Sequence, residues 1–251
     1  MSLTVHQFAC LSDNYGFLVR DDASGLAACV DTPDADAVLR EVAATGWPLA
    51  LILNTHWHPD HAGGNAAVKA ATGCEIVGPQ EVARIAPLDR PVVEGDSVRL
   101  GESVFQVIET GGHTLGHIAY HAADDGAAFV GDTLFALGCG RLFEGTPEQM
   151  WRSLSRLADL PDETVVYCAH EYTAANARFA LSVDDAPETR ARAEQVFAAR
   201  AAGRPTVPTS IGAERATNPF LRAPRLALGR GAASPAAAFA AVRAAKDAFR
   251  G

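Results

Sequence analysis

The amino-acid sequence predicts a mixed α/β domain followed by a small helical domain, and three features of its hydrophobic pattern indicate this fold class. Segments typical of strands and of helices alternate along the first 170 residues. Leu49–Leu53 is wholly apolar, as expected for a strand that is covered on both faces. Only helical patterns remain after about residue 172, so we expect the α/β domain over residues 1–171 and the helical domain over residues 172–251.

The elements of the first domain follow from local signals along the chain. Short strands are expected at residues 4–8, 16–20 and 26–30. Asp34 can cap a helix over Ala35–Thr45, and Gly46 can end it. The apolar strand then leads to a short helix at Asn65–Thr72. The rest of the domain is predicted as four strands, one helix that starts at a proline and one buried strand, at Ser97–Leu100, Ser103–Glu109, 117–121, 127–130, 147–160 and 164–168.

The second domain is expected to contain three helices, at residues 174–183, 187–202 and 235–249. A connector rich in Pro, Gly and Thr separates the last two, at residues 203–212. A chain of 251 residues with 48% hydrophobic residues can bury a substantial core in such an arrangement.

Composition narrows the class of protein. The formal net charge of −9 argues against a nucleic-acid binder, because phosphate contacts need a basic surface. The five cysteines are widely spread and form no CxxC pair, so neither a zinc knuckle nor a disulfide framework is indicated. We see no signal peptide and no apolar run long enough to cross a membrane. The reducing cytoplasm is therefore the expected location. A monomer is assumed, since no feature of the sequence indicates the oligomeric state.

Four ionisable residues lie directly after the apolar strand: His56, His58, Asp60 and His61. Imidazole and carboxylate are the usual ligands of zinc and of related metals. In an extended stretch His56 and His58 project to the same side, so both can reach one ion, while Asp60 and His61 can reach a second. Burying four such groups unpaired would cost several kcal/mol, so a metal site explains them better than a structural role does.

Three further candidates follow other predicted strands or turns: His113, Asp132 and His170. Sites in layered α/β folds tend to lie where strands end, which favours a functional role. By spacing alone, each could equally be a turn or capping residue. Several other residues are expected to be structural: His6, His117, His121 and Cys168.

Residues 55–61, with the sequence Thr-His-Trp-His-Pro-Asp-His, resemble the signature of the metallo-β-lactamase superfamily. Within that superfamily, the chain is similar to the glyoxalase II (hydroxyacylglutathione hydrolase) family. The signature alone is shared by many chemistries, and the other matching segments narrow the choice. These segments run nearly end to end, at residues 112–117, 131–135, 138–146, 168–173, 218–222 and 243–247.

The resemblance implies an αββα sandwich of two mixed sheets flanked by helices, with a helical C-terminal domain that covers one side of the site. It also implies two divalent metal ions, with zinc expected and iron or manganese as alternatives. The family pattern gives one ion His56, His58 and His113, the other Asp60, His61 and His170, and Asp132 as the bridge. The ligand carboxylates Asp60 and Asp132 are then the catalytic ones, and a hydroxide held by the metals is the nucleophile.

The family's glutathione contacts correspond to five residues of this sequence. Arg141 stands where many members have Lys, and Phe143 stands where some have Tyr, so a hydroxyl contact is expected to be missing. Tyr172, Arg243 and Lys246 match the pattern. By spacing alone, Arg243 and Lys246 are as typical of a solvated helix face as of a ligand clamp. The family match favours the clamp.

The implied reaction is hydrolysis of S-D-lactoylglutathione to glutathione and D-lactate, the second step of methylglyoxal detoxification. The main alternative is a persulfide dioxygenase of the same superfamily, which holds a single iron and also uses glutathione derivatives. The terminal basic helix and residues 138–146 favour the hydrolase. A β-lactamase is disfavoured because no signal peptide is seen, and a nuclease because the chain is acidic. A degenerate binding protein is disfavoured because all seven ligand positions hold usable residues.

Overall fold

The computed structural model describes residues 3–251 and divides the chain into two units. Unit 1 contains the described residues up to Glu109 together with Gly116–Gly131, and unit 2 contains Thr110–Leu115 together with Asp132–Gly251. Residues 1 and 2 lie outside the described residues. The first predicted domain begins with them, and the expectation that no signal peptide is present also concerns them. The predicted domain boundary between residues 171 and 172 stays a prediction.

The first sheet of unit 1 has six strands, and each lies beside the next one along the chain. They are β1 (Leu3–Cys10), β2 (Asn14–Asp21), β3 (Ala27–Val30), β4 (Leu49–Leu53), β5 (Glu75–Gly78) and β6 (Arg90–Pro91). The first three pair antiparallel and β3 to β6 pair parallel, so the sheet is mixed. Ile52 and Leu53 of β4 are completely buried, as its apolar sequence predicts for a central strand.

Three helices connect the parallel strands of this sheet: α1 (Ala35–Thr45), α2 (Pro59–Ala62) and α3 (Asn65–Thr72). The Asp34 side chain accepts hydrogen bonds from two backbone amides of the first turn of α1, which confirms the predicted cap. Gly46 ends the helix in the left-handed conformation, with φ of 65°. Val38 of α1 and Val68 of α3 pack on the sheet in one buried cluster.

Four strands of a second sheet also belong to unit 1: β7 (Ser97–Leu100), β8 (Ser103–Glu109), β9 (Ile118–Ala122) and β10 (Ala127–Gly131). They pair antiparallel, each with the next. The core between the sheets includes Phe17 and Phe129, whose ring centroids are 5.9 Å apart. The buried Tyr120 hydroxyl donates to the carbonyl oxygen of Asn54 at 3.0 Å, which ties β9 to the end of β4.

Unit 2 is mainly helical. Its elements are β11 (Leu134–Phe135), β12 (Gly138–Cys139), α4 (Pro147–Ala158), β13 (Val165–Cys168), α5 (Thr173–Val183), α6 (Pro187–Ala201), β14 (Thr209–Ser210), α7 (Ile211–Thr217) and α8 (Pro235–Ala248). Thr146 and Gln149 form a capping box at the start of α4, where Pro147 is the first helical residue. Phe220, which follows α7, stacks on Phe179 of α5 with centroids 5.9 Å apart and lies 6.1 Å from Phe239 of α8, so aromatic packing joins these elements.

The long predicted elements are confirmed, and the errors concern short ones. The bounds of α1, β4, α3, β7 and β8 are those predicted. The prediction that only helices follow residue 172 is wrong, because β14 pairs antiparallel with β13. Further elements were not predicted: α2, β5, β6, β11, β12 and α7. A strand of two residues has no alternation to detect, and α7 begins inside the segment predicted as a connector.

All five cysteines of the chain are buried free thiols in the described structure. Burial raises the pKa of Cys10 and Cys168 to about 12 and that of Cys139 to about 11. Among residues 3–251, no helix is both long enough and apolar enough to cross a membrane.

Candidate active site

The segment after β4 brings four predicted ligands together in unit 1, and we call His56, His58, Asp60 and His61 the unit 1 cluster. His56 Nε2 lies 3.0 Å from His58 Nδ1, and the ring centroids of His56 and His61 are 4.0 Å apart. Asp60 Oδ2 lies 3.7 Å from His61 Nε2. The chain turns into α2 at Pro59, which places Asp60 and His61 in the same short helix. Three imidazoles and a carboxylate at these separations suit zinc, iron or manganese.

Asp31 orients two of these imidazoles from behind. Its Oδ2 accepts a hydrogen bond from the Thr55 hydroxyl at 2.8 Å and lies 2.8 Å from His61 Nδ1. The same hydroxyl oxygen lies 3.0 Å from His56 Nδ1. Each Nδ1 is therefore engaged from behind, and each Nε2 is directed at the cluster. Metal-binding histidines are typically held this way by an outer carboxylate or hydroxyl.

The other three predicted ligands come together in unit 2, and we call His113, Asp132 and His170 the unit 2 cluster. All three are buried. Asp132 Oδ2 lies 3.3 Å from His113 Nε2, and its Oδ1 lies 3.3 Å from His170 Nε2. The two carboxylate oxygens thus face one imidazole nitrogen each, which is the arrangement a bridging carboxylate needs. His113 Nδ1 lies 2.9 Å from the Arg141 carbonyl oxygen, which can only accept, so Nδ1 carries the proton and Nε2 can ligate.

A cavity of about 430 Å³ in unit 2 opens beside the unit 2 cluster. Its volume is in the range of small-molecule sites. His113 and Asp132 line it, and so do all five residues predicted to bind substrate: Arg141, Phe143, Tyr172, Arg243 and Lys246.

The cations of the cavity are packed closely enough to perturb one another. Burial, together with the charges of Arg243, Arg178 and Arg141, lowers the pKa of Lys246 to about 8. Lys246 Nζ donates to the carbonyl oxygen of Ala175 at 3.2 Å. An anion in the cavity would relieve this repulsion, so the three cations that line it favour a negatively charged ligand.

Arg243 is tied into the protein as well as lining the cavity. It is buried, and its Nη2 donates to Asp247 Oδ1 at 2.7 Å. Its Nη1 donates to the carbonyl oxygen of Cys139 at 3.2 Å. The prediction that Arg243 and Lys246 share one face of the last helix agrees with their common place at the cavity, although Arg243 also has a structural task there.

Both aromatic candidates flank a histidine of the unit 2 cluster. The Tyr172 ring lies parallel to His170, with an interplanar angle of 2° and centroids 4.7 Å apart. The Phe143 ring meets His113 edge-on at 5.2 Å and is 63% exposed. Tyr172 therefore supports a candidate ligand, and Phe143 presents an apolar surface to the mouth of the cavity.

Comparison with known proteins identifies the family. Residues 25–170 match the family described as the metallo-beta-lactamase superfamily, and residues 171–249 match the hydroxyacylglutathione hydrolase C-terminus. The chain is 54% identical to a hydroxyacylglutathione hydrolase of Erythrobacter litoralis, over 98% of this chain and 100% of that relative. The chain belongs to the hydroxyacylglutathione hydrolase (glyoxalase II) family.

Two solved structures are also similar to this member of the hydroxyacylglutathione hydrolase family. ETHE1 from Myxococcus xanthus is 32% identical, with a TM-score of 0.67 and coverage of 87% of this chain and 84% of that one. TTHA1623 in a di-iron-bound form is 27% identical, with a TM-score of 0.62 and coverage of 87% of this chain and 100% of that one. The predicted fold class is confirmed: the chain has two mixed sheets flanked by helices and a helical C-terminal region.

For this family member, each of the seven predicted ligands is among the residues whose donor atoms could hold a metal ion. The His and Asp donors of the two clusters support binding of divalent metal ions. The assignment of each residue to an ion stays a prediction. His117, predicted as structural, is buried and stacks on His56 with centroids 4.7 Å apart.

Two residues behind the unit 1 cluster and two beside the cavity were not predicted. Asp31 directly follows β3, the parallel neighbour of β4, so its place at the end of a strand is a signal that the sequence contains. Thr55 lies two residues after β4, so the same signal is present there. Asn176 and Asp247 lie inside α5 and α8, and their roles depend on side-chain contacts that only the folded chain reveals.

Proposed function

We propose that the protein hydrolyses S-D-lactoylglutathione, and related 2-hydroxyacyl-glutathione thioesters, to glutathione and the free hydroxy acid. D-lactate is then the product of the second step of methylglyoxal detoxification. Membership of the hydroxyacylglutathione hydrolase family supports this assignment. The observation that carries it is the cavity of unit 2, in which candidate metal ligands and three cations line the same space.

We propose that two divalent ions serve the reaction, with zinc as the expected metal and iron or manganese as alternatives. His56, His58 and His113 would hold one ion, Asp60, His61 and His170 the other, and Asp132 would bridge them. The near approach of donor atoms within each cluster supports this, because imidazole and carboxylate groups that converge in this way are the usual ligands of divalent metal ions. When bound, the ions supply an activated water at neutral pH and positive charge for the developing oxyanion.

The chain's own residues bind and orient the substrate. Arg141, Arg243 and Lys246 line the cavity and offer charge to the two carboxylates of the glutathione peptide. Tyr172 lines the same wall and holds the His170 ring by stacking. Phe143 covers the mouth beside His113 and limits access of water there. A thiolate leaves readily, since free thiols have a pKa of about 8.5, so no residue is needed as a dedicated general acid.

The remaining partner and location predictions are part of the same proposal. The small-molecule thioester is the partner, and no nucleic acid or membrane is involved. A net charge of −9 supports the exclusion of nucleic acid. Five buried free thiols support a reducing cytoplasm. We propose a monomer, which sedimentation of the purified protein would test.

The dioxygenase alternative has weaker support. The solved ETHE1 is 32% identical to this chain, whereas the Erythrobacter litoralis hydrolase is 54% identical over the full length. The match of residues 171–249 to the hydrolase C-terminus covers Tyr172, Arg243 and Lys246, which line the proposed glutathione cavity.

The test is a thioester assay combined with metal analysis. Protein purified and reconstituted separately with zinc, iron or manganese should consume S-D-lactoylglutathione, release free thiol and contain two ions per chain. Asp132→Asn should lose metal and activity, because it replaces one of the two carboxylate oxygens that face His113 and His170 with an NH₂ group, which cannot bind a metal ion. The matched control Asp162→Asn changes an exposed carboxylate that pairs with Arg215, and should behave like the wild type. Absence of thioester cleavage with all three metals, or one iron per chain with oxygen uptake, would overturn the proposal.

A further inference from the structure

The β11–β12 hairpin joins two residues of the proposed active site. Asp132 lies two residues before β11, and Arg141 lies two residues after β12. The arms remain paired beyond the strands, because Gly140 N donates to the carbonyl oxygen of Thr133 at 3.2 Å. Gly140 passes so close to the Asp132 carbonyl that no side chain would fit there. The conformation of this hairpin therefore decides where Asp132 and Arg141 stand relative to each other.

The turn of the hairpin, residues 135–138, is held by side chains of α7 and its end. Asn218 Nδ2 donates to the carbonyl oxygens of Phe135 and Gly138, at 3.1 and 2.9 Å. Glu214 Oε2 accepts from the backbone N–H of Leu137 at 2.9 Å. Both side chains are completely buried. The turn thus depends on two side chains that lie about 80 residues further along the chain.

Leu137 shows why such a clamp is needed. It is fully buried and has a φ of 56°, in the left-handed region that a leucine rarely adopts. A strained backbone of this kind persists only where its surroundings determine it. Asn176 adds a third contact, since its Nδ2 donates to the carbonyl oxygen of Ala136 at 3.1 Å.

The clamp is itself fixed. Asn218 Nδ2 also lies 2.9 Å from Glu214 Oε2, so the two side chains support each other. Glu214 Oε1 accepts from the Thr209 hydroxyl at 2.6 Å and is paired with Arg192. The charge of Glu214 is therefore balanced by Arg192, and the side chain cannot rotate away without breaking this ion pair.

The outgoing arm of the hairpin contacts further active-site residues. The Arg141 carbonyl oxygen accepts from His113 Nδ1 at 2.9 Å and so fixes which ring nitrogen can ligate. The Cys139 carbonyl oxygen accepts from Arg243 Nη1 at 3.2 Å. One hairpin thus sets the position of a candidate bridging carboxylate, the orientation of a candidate ligand and the place of two binding cations.

We propose that Glu214 and Asn218 are positioning residues for thioester hydrolysis, which hold the hairpin turn in the conformation that aligns Asp132 and His113 with the cationic cavity. This inference rests on the proposed function and names residues that touch neither substrate nor metal. A loosened turn shifts metal ligands and binding cations together, so both metal affinity and substrate affinity depend on the clamp.

The test compares Asn218→Ala and Glu214→Ala with Glu214→Gln, whose single oxygen can still accept from Leu137 N–H while its NH₂ group faces Thr209 and Arg192 and so loses the ion pair. The matched control is Asp184→Asn, which weakens another buried ion pair of unit 2, with Arg222, and whose hydrogen bonds do not reach the hairpin. Metal affinity is measured by competition with a chromophoric chelator, and kcat, KM and the urea unfolding midpoint are measured for each holoprotein. Asn218→Ser keeps one donor and replaces the alanine variant if that variant does not fold.

We expect both alanine variants to lose about 10–100-fold in metal affinity and in kcat/KM, the range typical of residues that orient metal ligands. Glu214→Gln should lose less than Glu214→Ala in both quantities, although the lost ion pair also lowers its stability, and Asp184→Asn should lose stability alone. Alanine variants with wild-type metal affinity, or an Asp184→Asn variant that loses metal affinity as they do, would overturn the inference. A wild-type protein inactive on the thioester would instead refute the proposed function, since chelator competition tests the clamp without catalysis.

Discussion

Asp31→Asn tests how the unit 1 cluster is prepared for metal. The carboxylate accepts from Thr55 N–H through Oδ1 and from the Thr55 hydroxyl through Oδ2, and Oδ2 also faces His61 Nδ1, each at 2.8 Å. An asparagine has one acceptor oxygen, and the Thr55 N–H can only be satisfied by that oxygen. Its NH₂ group must then face His61 Nδ1. The imidazole can accept this hydrogen bond only with its proton on Nε2, the atom that should ligate.

The size of the effect follows from which contacts survive. The Thr55 N–H keeps its acceptor, and the Thr55 hydroxyl can rotate and accept from the new NH₂ group, so the contact to His61 is the only one of the three that becomes unfavourable for metal binding. Changes to such outer contacts typically cost 10–100-fold in metal affinity, or about 1.4–2.7 kcal/mol. We expect a loss in this range at the ion that His61 would hold, and a smaller loss at the other.

Competition with a chromophoric chelator, followed as two binding steps, measures this loss directly. Asp21→Asn is the matched control, because Asp21 is a fully buried carboxylate that accepts hydrogen bonds from Ser24 and Ser103, away from the histidines. It should lower the free energy of unfolding and leave metal affinity unchanged. If Asp31→Asn binds both ions as the wild type does, the orienting role assigned to Asp31 is wrong.

Three further outcomes are expected. KM for the thioester should rise, with little change in kcat, as pH increases through about 8, because Lys246 has a pKa of about 8 and loses its charge there. Lys246→Arg should abolish this rise, because arginine stays charged. Arg243→Ala and Lys246→Ala should both raise KM more than they lower kcat, and unchanged KM in both would remove them from the binding site. Arg243→Ala should also reduce the urea unfolding midpoint more than Lys246→Ala does, since Arg243 is bound to both Asp247 and Cys139, whereas Lys246 donates to Ala175. Burial favours the neutral form of Asp21, but hydrogen bonds from Ser24 and Ser103 outweigh this effect and lower its pKa from 3.8 to about 2. In denaturation curves, the wild type should therefore be more stable than Asp21→Asn above pH 3.8, and this difference should shrink as pH falls towards 2.

The sequence could predict those parts of the molecule that depend on neighbours in the chain. The apolar run Leu49–Leu53 predicted a central strand, and Asp34 with Gly46 predicted both ends of α1. The donor chemistry of residues 56–61 predicted a metal cluster before any fold was known. These features are local, because hydrophobic periodicity, helix capping and ligand spacing each depend on residues that lie close together in the sequence.

Features that depend on distant contacts could not be predicted in this way. Nothing near Leu137 indicates a left-handed residue, because its conformation is imposed by Glu214 and Asn218 from another helix. The spacing of Arg243 and Lys246 predicted a shared helix face, but not that Arg243 is buried and bound to the hairpin. Tertiary contacts override local preference at these positions, and they cluster around the candidate active site.

The protection of the five thiols matters for an enzyme whose product is glutathione. Exchange with a disulfide requires the thiolate, so the rate of exchange decreases as the ionised fraction of the thiol decreases. Cys139 lines the very cavity that would receive the tripeptide, yet its pKa of about 11, raised by burial, leaves almost no thiolate at neutral pH. Oxidised glutathione that enters the cavity should therefore not form a mixed disulfide with Cys139, so the enzyme would stay active under oxidising conditions.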